Sequence, residues 1–336
     1  MAEWVLEFPV LLGDIGGTNA RFAIVAAPHA PMTLLPRALT GEAPDPLTAI
    51  RTALQSYDGP SPRSAIIAVA NRADSLVIRL TNGKWVVDAA VIGKALGLSR
   101  VVLVNDYPPV AASVTALDED RGDLARLGAA SSSSSGARVV LGPGTGLGAA
   151  ALVPVEGRFA ILSTEAGHVE FGPATEEEAA FWPYVERVGG RVTAEVLLSG
   201  PGLCRIHAAL AAAQGRAHTL SHPAEILEAG RQGSDAIATA TLRVFARLLG
   251  RFAGDLALAY EAAGGVAIAG GIAPRMVDVL NSGEFRRAFE AKAPHHEWAR
   301  RVPTYVITHP EPALLGLSAL VADPARFILT TQLWSA

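Results

Sequence analysis

A strand–glycine turn–strand unit occurs twice in this chain, and it limits the possible folds more than any other feature. The first turn is Asp14-Ile15-Gly16-Gly17-Thr18-Asn19, entered from the apolar run Val10-Leu11-Leu12-Gly13. The second is Gly142-Pro143-Gly144-Thr145-Gly146-Leu147-Gly148, entered from Val139-Val140-Leu141. Glycine lacks a Cβ, so the backbone can come close to a ligand and turn its N–H groups toward an anion. Either turn alone reads equally well as a tight hairpin. Two of them, the first opening on an aspartate, suggest a nucleotide's phosphates gripped from both sides of a cleft.

With 336 residues the chain is long for one domain and comfortable for two. Half of it is hydrophobic and 18% is charged, which supports sizeable cores and excludes a disordered protein. The formal net charge is −4 with no long basic run, so a nucleic-acid partner is not expected. Cys204 is the only cysteine; it excludes an intrachain disulfide and a cysteine-based zinc site, and reads as a small buried apolar residue. Met1-Ala2-Glu3-Trp4 lacks the basic-then-apolar pattern of a signal peptide, and no uncharged apolar run reaches membrane-spanning length. A cytoplasmic protein without a membrane partner is expected.

The first half alternates strands and helices. Val10–Gly13 and Arg21–Ala27 flank the first turn as a hairpin would, Leu47–Tyr57 reads as a helix, and Ser64–Ala70 and Leu76–Thr81 read as strands. Asp88 can cap a helix to Leu96 that stops at Gly97. Val101–Asn105 is a continuous apolar strand of the buried parallel type, followed by a helix to about Ala116. Residues 118–136, charged and then serine-rich at Ser131–Ser135, read as a flexible surface loop. The opening pattern then returns in Val139–Leu141, Ala149–Pro154 and Arg158–Leu162. Thr175 and Glu178 suggest a capping box for a helix through Arg187. Ser234–Tyr260 carries Leu242, Phe245, Leu248, Phe252, Leu256 and Tyr260 as a core-facing stripe. Gly265–Ala269, Thr304–Thr308 and the apolar helix Leu314–Val321 close the chain. Two α/β halves, each opened by the same unit, suggest a cleft between related domains.

Gly144-x-Gly146-x-x-Ala149 matches a dinucleotide fingerprint, which requires a helix directly after it. The sequence there reads instead as a β-hairpin, so a nicotinamide-linked oxidoreductase is the weaker alternative. Asn105-Asp106 ends an apolar strand, where ligands gather in α/β sheets. Asp106 can accept a proton from a substrate hydroxyl or cap the helix behind it, and local pattern leaves both readings open. Glu165 and His168 share a loop, where metal ligation lacks a third ligand and hydrogen bonding to a polyhydroxyl compound fits. Taken alone, His168 reads as a structural histidine and Glu195 as an ordinary solvated helix position.

Taken together, the motifs resemble the bacterial glucokinases, hexokinase-like members of the actin and sugar-kinase superfamily. The stretches that carry the resemblance are Gly13–Arg21, Val104–Tyr107, Leu141–Gly148, Glu165–Phe171, Ala194–Gly202 and Ala269–Ile272. The resemblance implies a two-domain α/β actin-like ATPase (ribonuclease H-like) fold with a central mixed sheet in each domain. It implies a small domain of residues 1–112 with 312–336, a large domain of 113–311, and an active site in the cleft between them. It implies ATP-dependent phosphorylation of glucose, the first step of glycolysis, by a homodimer. Asp14, Ile15, Gly16, Gly17, Thr18 and Asn19 would form one phosphate loop, and Gly144, Thr145 and Gly146 the other. Asp14 would act on Mg²⁺ indirectly, through the ATP-bound ion, and Gly270 and Gly271 would lie near the adenosine. Asn105, Asp106, Glu165, His168 and Glu195 would hold the sugar, with Asp106 also the general base.

This chain departs from the family pattern at three places. Ala70-Asn71-Arg72-Ala73-Asp74-Ser75 replaces a Gly-Pro…Gly-Asp loop, so a different hexose, or a sugar sensor with poor turnover, is the alternative function. Ala166 stands where the family has a glycine, and a backbone with positive φ is expected there. Pro108-Pro109 is expected to stiffen the segment behind Asp106.

Overall fold

The computed structural model describes residues 4–80, 83–130 and 135–336. The sequence readings that fall on Met1–Glu3, on Thr81 and on Ser131–Ser134 lie outside the described residues. The chain forms two compact units. One comprises Met1–Leu117, Leu152–Ser163 and His309–Ala336, and the other Asp118–Ala151 and Thr164–Thr308.

The first unit is built on a mixed sheet. Its strands run in the order Gln332–Ser335, Arg100–Asn105, Ser64–Val69, Val10–Ile15, Asn19–Val25 and Met32–Leu34, and Ala38–Leu39 also pairs with Asn19–Val25. The three central strands are parallel. Every residue of Val10–Ile15 and Ser64–Val69 is buried, as expected of strands covered on both faces. The register aligns Ile15 with Val69 and Val69 with Asn105. The carboxyl ends of three adjacent strands therefore carry the first glycine turn, the 70–75 loop and Asn105-Asp106 side by side.

Local chemistry sets the helix ends in this unit. Asp45 accepts from the Thr48 N–H at 2.8 Å, so the first helix is Pro46–Leu54, shorter than its apolar pattern suggests. Asp88 accepts from the Val91 N–H at 3.0 Å, and Gly97 ends that helix in the left-handed region at φ 66°. Pro108 and Pro109 occupy the first turn of the helix Tyr107–Ser113, where missing N–H groups cost nothing. This helix meets Pro312–Ala322 backbone to backbone: a Cβ on Gly316 would lie 1.6 Å from the Pro109 carbonyl oxygen.

In the second unit the strands Arg138–Pro143, Gly265–Ile268, Thr304–Ile307 and Leu124–Leu127 lie in that order, with the second glycine turn joining Arg138–Pro143 to Leu147–Val155. Leu124–Leu127 corrects the reading of 118–136 as a loop. It pairs antiparallel with Thr304–Ile307, its Leu127 is fully buried, and it takes up hydrogen bonds that the Thr304–Ile307 edge would otherwise leave unmade. The Thr175 hydroxyl caps the Glu178 N–H at 3.2 Å as expected, but the helix covers only Glu176–Phe181. Pro183 then sits in a single 3₁₀ turn, Trp182–Tyr184. The long helix Ala236–Ala259 buries its predicted stripe except Tyr260, which is partly exposed just past its end. Cys204 is likewise only partly buried. Its Sγ lies 3.2 Å from the Ser221 carbonyl, and desolvation raises the thiol pKa above its ordinary value. Among the described residues no helix is long and apolar enough to cross a membrane.

Candidate active site

Asp14 is the last residue but one of its strand, not part of the turn, and pairs with Arg21 across the hairpin. Arg21 Nη1 donates to Asp14 Oδ2 at 3.0 Å, and its Nε lies 3.1 Å from Glu311 Oε2. One guanidinium thus joins two carboxylates. Burial raises the carboxyl pKa of Asp14, and Arg21 opposes the shift. Burial also raises that of Glu311, with Arg21 opposing and Asp14 adding to the rise. The turn itself is braced by Gly16 N–H to Asn19 O at 2.9 Å and by the Thr40 hydroxyl to Gly17 O at 2.6 Å. Thr18 is exposed at its tip.

On the same sheet edge, both donors of the Asn105 amide are engaged, and its oxygen keeps one acceptor site. Its Nδ2 donates to Asn71 O and to Asp106 Oδ1, each at 3.0 Å, and its Oδ1 accepts from the Tyr107 N–H at 3.1 Å. The helix behind is therefore served by Asn105. Asp106 makes no side-chain cap bond, which decides against capping as the purpose of its carboxylate. Asn71, in the divergent loop, binds the Arg79 carbonyl through Nδ2 at 2.8 Å, while Arg72 is exposed.

In the second unit, residues from three stretches, Glu165–Phe171, Ala194–Gly202 and Ala269–Ile272, converge on the second glycine turn. Glu195 Oε2 accepts from the Leu147 N–H at 2.8 Å, so Glu195 is a half-buried partner of the turn and not a solvated helix position. Gly167 packs on Leu147, where a Cβ would stand 2.2 Å from the Leu147 carbonyl oxygen. Gly200 N–H donates to Gly144 O at 2.8 Å. Gly270, at φ 81°, presses on the Pro143 carbonyl, 2.4 Å from a built Cβ. Glu165 and His168 stand exposed on the adjoining loop with His168 Nε2 3.8 Å from Glu165 Oε2. Ala166 is not strained. It lies in a short 3₁₀ turn, Ala166–His168, and the described non-glycine residues with positive φ are His29, Glu156 and Glu261.

Three of these glycines are required neither by the protein's packing nor by φ. A Cβ on Gly16 or Gly144 would meet nothing closer than 3.5 Å, and one on Gly271 would meet nothing within 4 Å; none has positive φ. Their bareness fits close approach by a ligand from outside, as phosphates require. No group of three or more His, Cys, Asp or Glu among the described residues could cage a metal. The stretch after Gly146 is the strand Leu147–Val155, so the dinucleotide reading fails for want of its helix.

The glucokinase family profile matches residues 11–324. The chain belongs to the glucokinase family. A glucokinase of Chelativorans sp. is 44% identical over 97% of this chain and 95% of its own length, and one of Agrobacterium fabrum is 42% identical over 96% and 94%. Among solved structures, a glucokinase from an Antarctic psychrotroph superposes with a TM-score of 0.82 at 30% identity, covering 94% of this chain and all of that one. A ROK-family glucokinase from Streptomyces griseus, in complex with glucose and AMPPNP, shares the fold at TM-score 0.64 and 21% identity over 93% and 98%. The two-unit α/β architecture with two mixed sheets is therefore the sugar-kinase version of the actin-like ATPase fold, as the motifs implied.

Two parts of this glucokinase-family chain escaped sequence reading. The Asp14–Arg21–Glu311 chain has a partial signal, since a hairpin closing on Gly16–Thr18 puts Asp14 opposite Arg21; nothing local points to Glu311. The buried Glu178, paired with Arg247 and Arg251, is signalled only by the i,i+4 spacing of the two arginines on one helix face.

Proposed function

We propose that this chain is an ATP-dependent hexose kinase that phosphorylates D-glucose at its 6-hydroxyl, acting in the cytoplasm as a homodimer and supplying glycolysis. Membership of the glucokinase family over nearly the whole chain carries this reading. Its functional domains are 1–112 with 312–336, and 113–311. Gly16, Gly17, Thr18 and Asn19, with Asp14 and Ile15 at the strand end before them, and Gly144, Thr145 and Gly146 hold the phosphates, and Gly270 and Gly271 adjoin the adenosine. Asn105, Asp106, Glu165, His168 and Glu195 bind the sugar hydroxyls. Asp14 would act indirectly on the magnesium of Mg²⁺-ATP, which would supply charge neutralisation on the phosphates.

In this mechanism Asn105 orients Asp106 through the 3.0 Å bond to Oδ1. Asp106 takes the proton of the 6-hydroxyl as that oxygen bonds to the γ-phosphorus and the bond to the departing ADP oxygen breaks. Phosphoryl transfer asks mainly for such positioning and charge stabilisation. Carboxylates and an imidazole that each bond a hydroxyl discriminate against sugars that lack one, because the missing hydroxyl forfeits its hydrogen bond.

A coupled ADP-release assay with Mg²⁺-ATP across a panel of hexoses tests the reading. Glucose should stimulate turnover well above the hydrolysis background; no stimulation by any sugar would refute it. The bond from Asn105 to the Asn71 carbonyl, with Arg72 beside it, favours one second reading, a kinase for another hexose. A higher kcat/KM for mannose or fructose than for glucose would select it.

A further inference from the structure

We infer that Arg251 is a positioning residue for the sugar-binding segment of the second unit, an inference that rests on reading Glu165, His168 and Glu195 as sugar ligands. Arg251 lies on the helix Ala236–Ala259 with its side chain largely buried. Its guanidinium carbon sits 4.1 Å above the centre of the Phe171 ring. From the same group Nη2 donates to the Gly172 carbonyl at 2.7 Å, and Nη1 lies 3.1 Å from Glu178 Oε2. Glu178 is 1% exposed and also takes Arg247 Nε at 3.1 Å and the Ala174 N–H at 2.7 Å. A carboxylate so buried is tolerable only when paired in this way. Arg251 is thus anchored on one side and stacks on the other.

What Arg251 holds is the end of the Glu165–Phe171 segment. Phe171 is gripped on its ring face by Arg251 and meets Phe252 edge-on at 5.8 Å. Its N–H donates to Val192 O at 2.9 Å, Ala194 N–H returns a bond to Val169 O at 3.0 Å, and Glu170 bridges Thr193. Glu195 follows directly. Fixing Phe171 therefore fixes two sugar-binding stretches at once, Glu165–His168 before it and Glu195 beyond the bridge. Three simultaneous tasks, to stack and to donate to both a carbonyl and a carboxylate, suit a planar fork and not an ammonium point charge.

The test compares Arg251→Lys and Phe171→Leu with Glu165→Gln and His168→Ala, reading glucose Kd by calorimetry, KM for glucose and for ATP, and thermal stability. Displacing ligands by about 1 Å costs up to ~10²-fold, so Arg251→Lys and Phe171→Leu should raise glucose KM and Kd ~10–100-fold. ATP KM should stay within about twofold, and the double variant should be clearly non-additive because the two side chains act as one clamp. Glucose KM unchanged in folded Arg251→Lys or Phe171→Leu, while Glu165→Gln raises it, overturns this inference alone. Equal rises in glucose and ATP KM, the mark of a general structural role, also overturn it. Glucose Kd unchanged in both Glu165→Gln and His168→Ala overturns the underlying reading of the site, and this inference with it. If Arg251→Lys does not fold, Phe171→Leu alone decides between these outcomes.

Discussion

The two glycine turns look alike in sequence and are built differently. The first is held by its own hairpin and by two bonds from Thr40, and the strand that enters it ends near a charge, Asp14, bridged through Arg21 to Glu311. The second has no charged residue and is held from outside by Glu195, Gly167, Gly200 and Gly270. Each nevertheless leaves a threonine exposed at its tip and a glycine that the protein's own packing does not demand. The difference teaches that similar backbone cradles can rest on unlike supports. Asp14 and Asp106 lie at strand ends in the first unit, whereas the second gathers Glu195 and three glycines around a packed backbone.

The largest expected effect breaks the chemical side of this comparison. Asp106→Asn should lower kcat by ~10²–10⁴-fold while glucose Kd changes little, because the amide keeps hydrogen bonding but cannot take a proton. Calorimetry beside steady-state kinetics checks it, and an unchanged kcat would remove Asp106 from the base role. The next prediction separates glycines that face a ligand from those that face protein. Gly16→Ala and Gly144→Ala should each raise the ATP KM roughly tenfold, about one lost contact of ~1.4 kcal/mol, with the melting temperature unchanged. Gly167→Ala should do the opposite in kind. Its Cβ meets the Leu147 carbonyl, so it should cost ~1–3 kcal/mol of stability and lower the melting temperature. Equal melting temperatures for Gly144→Ala and Gly167→Ala would erase the distinction.

The smallest effect concerns His207, buried in the second unit with neither ring nitrogen hydrogen-bonded and with Asp235 4.0 Å away. Desolvation lowers its pKa, so the unfolded chain binds the proton more readily than the folded one. Stability should therefore be unaffected by this group above pH ~6.5 and should fall as pH drops below it, by at most ~1.4 kcal/mol per pH unit. In His207→Leu the loss of melting temperature between pH 7.5 and pH 5 should shrink. An identical pH dependence in both proteins would show that His207 contributes nothing.

Much of this was legible in the sequence because it depends on local patterns. Continuous apolar runs marked the central parallel strands, and Asp88 with Gly97 marked both ends of one helix. The hairpin pattern after Gly146 made a dinucleotide fold the weaker alternative in sequence, and the strand Leu147–Val155 removes it. What could not be read depends on distant partners. Leu124–Leu127 becomes a strand only because Thr304–Ile307 has an edge to pair. The reach of Glu195 to Leu147 is set by packing between segments far apart in the chain, and so is the clamp of Arg251 on Phe171. Asn105 and Asp106 lie between these cases. Their place at a strand end was plain, but which of the two served the helix required the hydrogen bonds themselves.

Phosphorus NMR of the protein with Mg²⁺-ATP and glucose tests the central claim most directly. The account predicts ADP and glucose 6-phosphate appearing in equal amounts, and almost no turnover with Asp106→Asn under the same conditions. ATP consumed to inorganic phosphate without any sugar phosphate, or no ATP consumed at all by the folded wild-type protein, would contradict it.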